Sequence, residues 1–219
     1  MEIMKIFGFH IAAVVLAGLM SPVLAHADDL SPAFVHVGVA DVRLDDKGMI
    51  YAGGVPMTGA TYSTNHTTPV VIEGGYFVTS TLAVQASIGS RETSRNTPGG
   101  TFAGQPSLGA DSFDIATLTL VCHPWRAKRV SPYFGFGAGA HLAGDMHDGL
   151  VSNFKVRNTS GLALQAGAEV TITRHTGLYL DVKKLFYTAR ASGDLGPVPV
   201  ISSAKLDPVI VQAGFSLRL

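Results

Sequence analysis

Residues Ser131–Gly144 read SPYFGFGAGAHLAG. Within them, Gly135-Phe136-Gly137-Ala138-Gly139-Ala140 satisfies G-x-G-x-x-A, an accepted form of the dinucleotide-binding fingerprint. That fingerprint works only where a strand leads into the glycines and a helix starts among them, so that N–H groups at the helix N-terminus face a phosphate. The residues after Ala140 are HLAGDMHDGL, with two glycines and no 3.6-residue apolar period, so no helix starts there. Alternation gives the better reading. Tyr133, Gly135, Gly137, Gly139 and His141 share one face, and Phe134, Phe136, Ala138, Ala140 and Leu142 share the other. This predicts a strand with a greasy outward face and an inward face almost without side chains, as in a barrel wall set in lipid. Glycine on the inward face makes room for large residues opposite, or leaves a narrow passage.

The rest of the chain supports a barrel. It opens with MEIMKIFGFHIAAVVLAGLMSPVLAHA, in which Lys5 precedes an apolar run and Ala25-His26-Ala27 gives A-x-A before Asp28. This order predicts a secretory signal peptide over residues 1–27, leaving residues 28–219 as one barrel domain. An exported chain meets little cytosolic NAD. Its one cysteine, Cys122, has no internal partner for a disulfide. The chain is 47% hydrophobic and 15% charged, with zero formal net charge. There is no basic bias of the kind nucleic acid requires. After the leader no apolar run approaches the ~18–20 residues of a membrane helix. In lipid, the alternative that pairs every backbone N–H and C=O is a closed barrel.

Period-two alternation recurs. In Gly161–Thr173, Leu162, Leu164, Ala166, Ala168, Val170 and Ile172 form a wholly apolar face, and the other face is small or polar. Thr81–Arg91, Gly177–Tyr187 and Val209–Leu219 repeat the pattern. Phe34–Leu44, Pro69–Val78 and Ser112–His123 are less regular, and the opening stretch makes eight segments. Long connections (about residues 44–68, 92–111, 145–158 and 192–204) alternate with short ones. That asymmetry marks an outer-membrane barrel with both termini on the short-turn, periplasmic side. The predicted fold is therefore all-β, an eight-stranded antiparallel up-and-down transmembrane β-barrel. The basic turn Arg126–Arg129 is expected to face the periplasm. Tyr76, Trp125, Tyr133, Phe134, Phe186 and Tyr187 are candidates for interfacial belts.

Inward parity collects Glu73, Gln85, Gln165, Glu169, Tyr179, Asp181, Lys183, Gln212 and Arg218. With Tyr133, Gly135, Gly137 and Gly139 these are the candidate lumen residues. Charges inside a barrel must be paired or wet. The set is either a packed polar network or a polar constriction. The histidines show no zinc spacing, since His141 and His147 lie six apart. No cofactor or metal site is expected. Enzyme signatures are incomplete. Phe34-Val35-His36-Val37-Gly38 has the Phe and His of a lipid-deacylase strand but Gly38 where the serine belongs. Ser202-Ser203-Ala204-Lys205 matches S-x-x-K in a presumed loop, not on a helix. No catalytic residue is assigned.

Three pieces, VGVADVRLDDKG early, PYFGFGAGAH in the middle and KLDPVIVQAGFSLRL at the end, resemble the OmpW family of outer-membrane proteins in order and spacing. The resemblance implies an eight-stranded barrel with a narrow, largely apolar channel, passing small hydrophobic molecules across the outer membrane. It also implies outer-membrane lipid and small hydrophobic solutes as partners, and assembly through the C-terminal strand, although Leu219 stands where such barrels end in Phe. A structural or adhesion barrel with a plugged lumen is the alternative, and a lipid-modifying enzyme is a further one. Oligomeric state is left open. N-terminal sequencing of the protein recovered from cell envelopes is expected to begin at Asp28; a chain beginning at Met1 would exclude the cleaved leader.

Overall fold

A computed structural model describes residues 31–44, 47–126 and 128–219, with the backbone alone at 47–49. The predicted leader over 1–27 lies outside the described residues. Eight strands form a closed antiparallel barrel: β1 (Ala33–Arg43), β5 (Val70–Phe77), β6 (Leu82–Gly89), β8 (Gly109–Cys122), β9 (Val130–Asp148), β11 (Thr159–Thr171), β12 (Thr176–Phe186) and β15 (Val209–Arg218). Each pairs with its neighbours in chain order, and β1 closes the ring against β15 from Phe34↔Arg218 to Arg43↔Val209. The ring leaves no free edge over this zone, which the backbone polar groups require in lipid.

The pleat sorts the side chains. On β9, Phe134 and Phe136 are 60% and 59% exposed, while Tyr133 is buried. Val37, Ile72, Leu118, Leu164, Leu180 and Phe215 stand outward on other strands. Together they form the apolar band that lipid solvates. Tyr133 and Tyr187 do not join an interfacial belt, because both rings are buried inside the barrel. Tyr133 shares the inward parity of the glycines, and Tyr187 turns into an apolar cluster with Leu185 and Phe113. Trp125, Phe134 and Phe186 stay exposed, and Tyr76 is half-buried.

Gly135, Gly137 and Gly139 of the opening stretch take up close contacts and leave no passage. A Cβ at Gly139 would come within 2.7 Å of the Leu185 side chain. At Gly135 and Gly137 it would meet the β8 backbone at Leu120 and Leu118. Leu185, fully buried, occupies the space that Gly139 concedes.

The long connections are not irregular loops. They hold β2 (Lys47–Ala52), β3 (Val55–Pro56), β4 (Ala60–Thr64), β7 (Glu92–Gly100), β10 (Ser152–Val156), β13 (Thr188–Leu195) and β14 (Val198–Lys205). The Ser202–Lys205 stretch is therefore strand, not loop. Glycine, proline and threonine in these segments disguise the alternation. β9, at 19 residues, is about 65 Å long at ~3.4 Å per residue. At the usual ~45° tilt it rises about 45 Å, beyond a hydrocarbon core of about 25–30 Å. The barrel wall therefore continues past the membrane at the loop end. There it divides into two walls, β10-β13-β14-β2-β3 on one side and β4-β7-β8-β9 on the other. Gly139→Val is expected to lower unfolding stability by about 1–3 kcal/mol through overpacking against Leu185, measured by urea unfolding of the detergent-folded barrel. Ala138→Val on the lipid face should stay within about 0.5 kcal/mol.

Candidate functional site

The middle of the barrel is filled by polar side chains organised on Glu73. One Glu73 oxygen accepts from His36 Nδ1 at 2.8 Å and from Gln85 Nε2. The other accepts from Lys183 Nζ at 2.5 Å and from Gln212 Nε2 at 3.4 Å. These donors come from β1, β6, β12 and β15, so one carboxylate on β5 ties together five of the eight strands. Lys183 also faces Asp181 Oδ1 at 3.2 Å. Gln165 Nε2 donates to Asp181 at 2.8 Å and to Gln85 at 3.0 Å, and Gln165 Oε1 accepts from Thr119 at 2.9 Å. Every group in this layer is at most 4% exposed. A channel wide enough for water would wet the side chains that bound it, so this layer is a plug.

Below it, toward the termini, Arg218 pairs with Glu169 at 2.7 Å, and Glu169 approaches His36 Nε2 at 3.8 Å. His36 stacks on Tyr179 at 4.3 Å, and His123 on Tyr133 at 4.8 Å. His123 lies in the turn after β8, where burial pushes its imidazole down to about 4, so it packs as a neutral ring at pH 7. Arg126 lies 3.5 Å over the Phe77 ring and donates to the Ser31 carbonyl, closing the terminal end.

Above the plug lies an apolar layer of Phe113, Ile115, Leu185, Tyr187, Leu206 and Ile210. Above that, a cleft opens between the two walls. Ile50, Phe154, Leu195 and Val200 line one side, and Phe102 and Leu108 the other. The wall beside the cleft has a seam. The last β9–β11 pair is His141↔Thr159. Beyond it β9 pairs only with β8, across an irregularity next to Ser112, and β10 pairs with β13. Side chains span the gap instead: Asn158 accepts from the Ala143 N–H, and Asp148 from those of Asn153 and Phe154.

Known proteins share this architecture. The OmpW family model matches residues 32–219. The chain belongs to the OmpW family. It is 28% identical to the outer membrane protein AlkL of Ectopseudomonas oleovorans over 178 residues, 78% of this chain and 75% of that one. It is 26% identical to the dibenzothiophene metabolism operon protein PahQ of Pseudomonas aeruginosa over 182 residues, 83% and 86% of the two chains. Among solved structures, the outer membrane protein OprG of Pseudomonas aeruginosa superposes with a TM-score of 0.77 at 20% identity, covering 86% of this chain and 96% of that one. This OmpW-family barrel is an outer-membrane protein. Its short turns and termini face the periplasm, and its cleft faces outward.

The residues expected in the lumen fall into separate layers. Glu73, Gln85, Gln165, Asp181, Lys183 and Gln212 meet in the plug. Glu169, Arg218, Tyr133 and Tyr179 lie toward the periplasmic end, and Gly135, Gly137 and Gly139 only admit close neighbours. The candidate set left out His36, His123, Thr119 and Asp111, and also His141, which parity had already placed on the inward face with the glycines. His36 stands on β1, where Val37 and Val39 outside and Ala40 and Val42 inside make both faces look apolar. Its register partner Glu73 was the available signal. Lys183→Met, which leaves Glu73 and Asp181 buried without their cation, is expected to cost about 3–5 kcal/mol in chemical unfolding. Glu169→Gln should leave planar-bilayer conductance unchanged while lowering stability, because Glu169 serves packing; altered conductance would make it part of a constriction.

Proposed function

We propose that this OmpW-family barrel takes small, mainly apolar solutes from outside the cell into and across the outer membrane. The observation that carries the reading is the apolar cleft set above a sealed polar plug. A hydrophobic solute gains by leaving water for a site lined by Phe102, Leu108, Phe154 and Val200. It has no comparable gain in the layer below, where Glu73, Lys183 and Asp181 are buried and already ion-paired with one another. The seam between β9 and β10 offers the other way out, because opening it breaks a few side-chain bonds rather than a strand ladder. A relative named for a dibenzothiophene metabolism operon is in keeping with solutes of this class.

The plug itself favours a second reading, a receptor or adhesion barrel with no solute passage. Uptake separates the two. Cells with an intact lipopolysaccharide leaflet are expected to take up naphthalene faster when they carry the barrel, with no change for a polar sugar of similar size. In a Cys122→Ser background, Met146→Cys with Val156→Cys places thiols across the seam, where the Val156 N–H reaches Met146 Sδ at 3.3 Å. Oxidation should abolish the gain, and reduction should restore it. Uptake equal to that of cells without the barrel supports the receptor reading. Uptake that survives a fully formed crosslink excludes the seam as the route.

A further inference from the structure

Between the apolar cleft and the layer of Phe113 and Leu206 the interior carries polar groups as well. A smaller second cavity lies beneath the cleft, and the two share Tyr62, Asn96, Ala191 and Ser202 among their lining residues. At the bottom of this lower cavity stand Asp111 on β8 and His141 on β9, 3% and 5% exposed. The His141 ring lies flat on Phe113 at 4.8 Å and 15°, which fixes its plane. Its Nε2 faces Asp111 Oδ2 at 3.6 Å, too long for a hydrogen bond, and has no other hydrogen-bond partner. The Ser202 hydroxyl, also on the lining, is unpartnered too. A buried polar atom left without a partner is costly. Asp111 and His141 belong to neither the plug nor the periplasmic ion pair.

We propose that the Asp111–His141 floor is a polar subsite for solutes that are apolar over most of their surface and carry a hydroxyl at one end. The inference rests on the cleft being the solute site. The chemistry selects the hydroxyl. A carboxylate oxygen accepts hydrogen bonds, while an imidazole N–H donates one. An alcohol or phenol donates to Asp111 Oδ2 and accepts from His141 Nε2–H, satisfying both. A plain hydrocarbon satisfies neither. A carboxylate has no proton to donate to Asp111, and the Arg190 guanidinium on the same lining would draw it away from the floor. The apolar body then lies upward, between Phe154 and Leu108. The floor therefore discriminates by head group, whereas the cleft above discriminates only by hydrophobicity and size.

The test uses the full barrel in lipid nanodiscs and three probes of one shape: naphthalene, 1-naphthol and 1-naphthoate. Binding is measured by equilibrium dialysis, with uptake by empty discs subtracted so that partition into lipid cancels. Naphthol should bind about tenfold more tightly than naphthalene, the scale of one or two net hydrogen bonds, and naphthoate more weakly than naphthol. His141→Phe keeps the ring stack on Phe113 and should erase the naphthol preference while leaving naphthalene binding in place. Asp111→Asn keeps the shape and should reduce the preference several-fold. Heat-modifiable migration on gels reports whether each variant has folded; Asp111→Asn decides the matter if His141→Phe does not fold. Equal binding of naphthol and naphthalene, naphthoate binding as tight as naphthol, or a preference that survives in the folded variants overturns the subsite and leaves the cleft reading standing. If no probe binds above empty discs, the subsite and the cleft reading fall together.

Discussion

A carboxylate in the middle of a lipid-embedded barrel has little water to hydrate it, so other side chains must supply the hydrogen bonds that Glu73 needs. Its two oxygens are met by His36, Gln85, Lys183 and Gln212, each from a different strand. Lys183 in turn needs more than one anion nearby, which Asp181 supplies. The amides of Gln85 and Gln165 carry the pattern on to Thr119. Buried charges hold only where they are paired. Pairing them here fills the barrel, so the demand that keeps the charges together closes the axis to water, while His36 Nε2 and Asp181 Oδ1 are left without a hydrogen bond. Outside the ring the lipid-facing residues face no such demand, and Phe134, Leu164 and Phe215 need only be apolar.

The plug divides the molecule into ends with different physics. Toward the periplasm the interior is aromatic and charged, with Tyr133, His123 and the Arg218–Glu169 pair packed tightly. Toward the outside the interior turns apolar, and the strands run on beyond the membrane. Past the last β9–β11 pair, the wall relies on Asn158 and Asp148 side chains where a ladder would otherwise be. Side-chain bonds of this kind exchange with water more readily than a continuous ladder opens. The weakest part of the wall thus lies beside the apolar cleft and above the sealed polar layer.

The match to the OmpW family and the superposition on OprG agree with this architecture at the level of the fold. At 20% identity, what is shared with OprG is the barrel, its closure and its strand order. The roles of the residues that fill this barrel come from its own register. The place of the Asp111–His141 pair below the cleft is one of them, set by the pairing of β8 with β9 and by no sequence motif.

Much of the architecture was legible in the order of residues. A pleat sends successive side chains to opposite faces, so Leu162, Leu164 and Ala166 declare an outward face and Gln165 an inward one without knowledge of any partner strand. The same rule turned the G-x-G-x-x-A run into a strand, and short and long connections gave the barrel its direction. Parity names a face and cannot name a neighbour across the interior. Which residues meet there depends on the stagger of eight strands around a closed ring. That stagger put Leu185 against Gly139, gathered four donors on Glu73 and hid Tyr133 and Tyr187 inside the wall. It also brought His141 to Asp111. Hydrophobic periodicity is a local property of one strand and was fixed by the chain itself; the closure that decides between an open path, a plug and a cleft is a property of all eight strands at once, and only the folded barrel settles it.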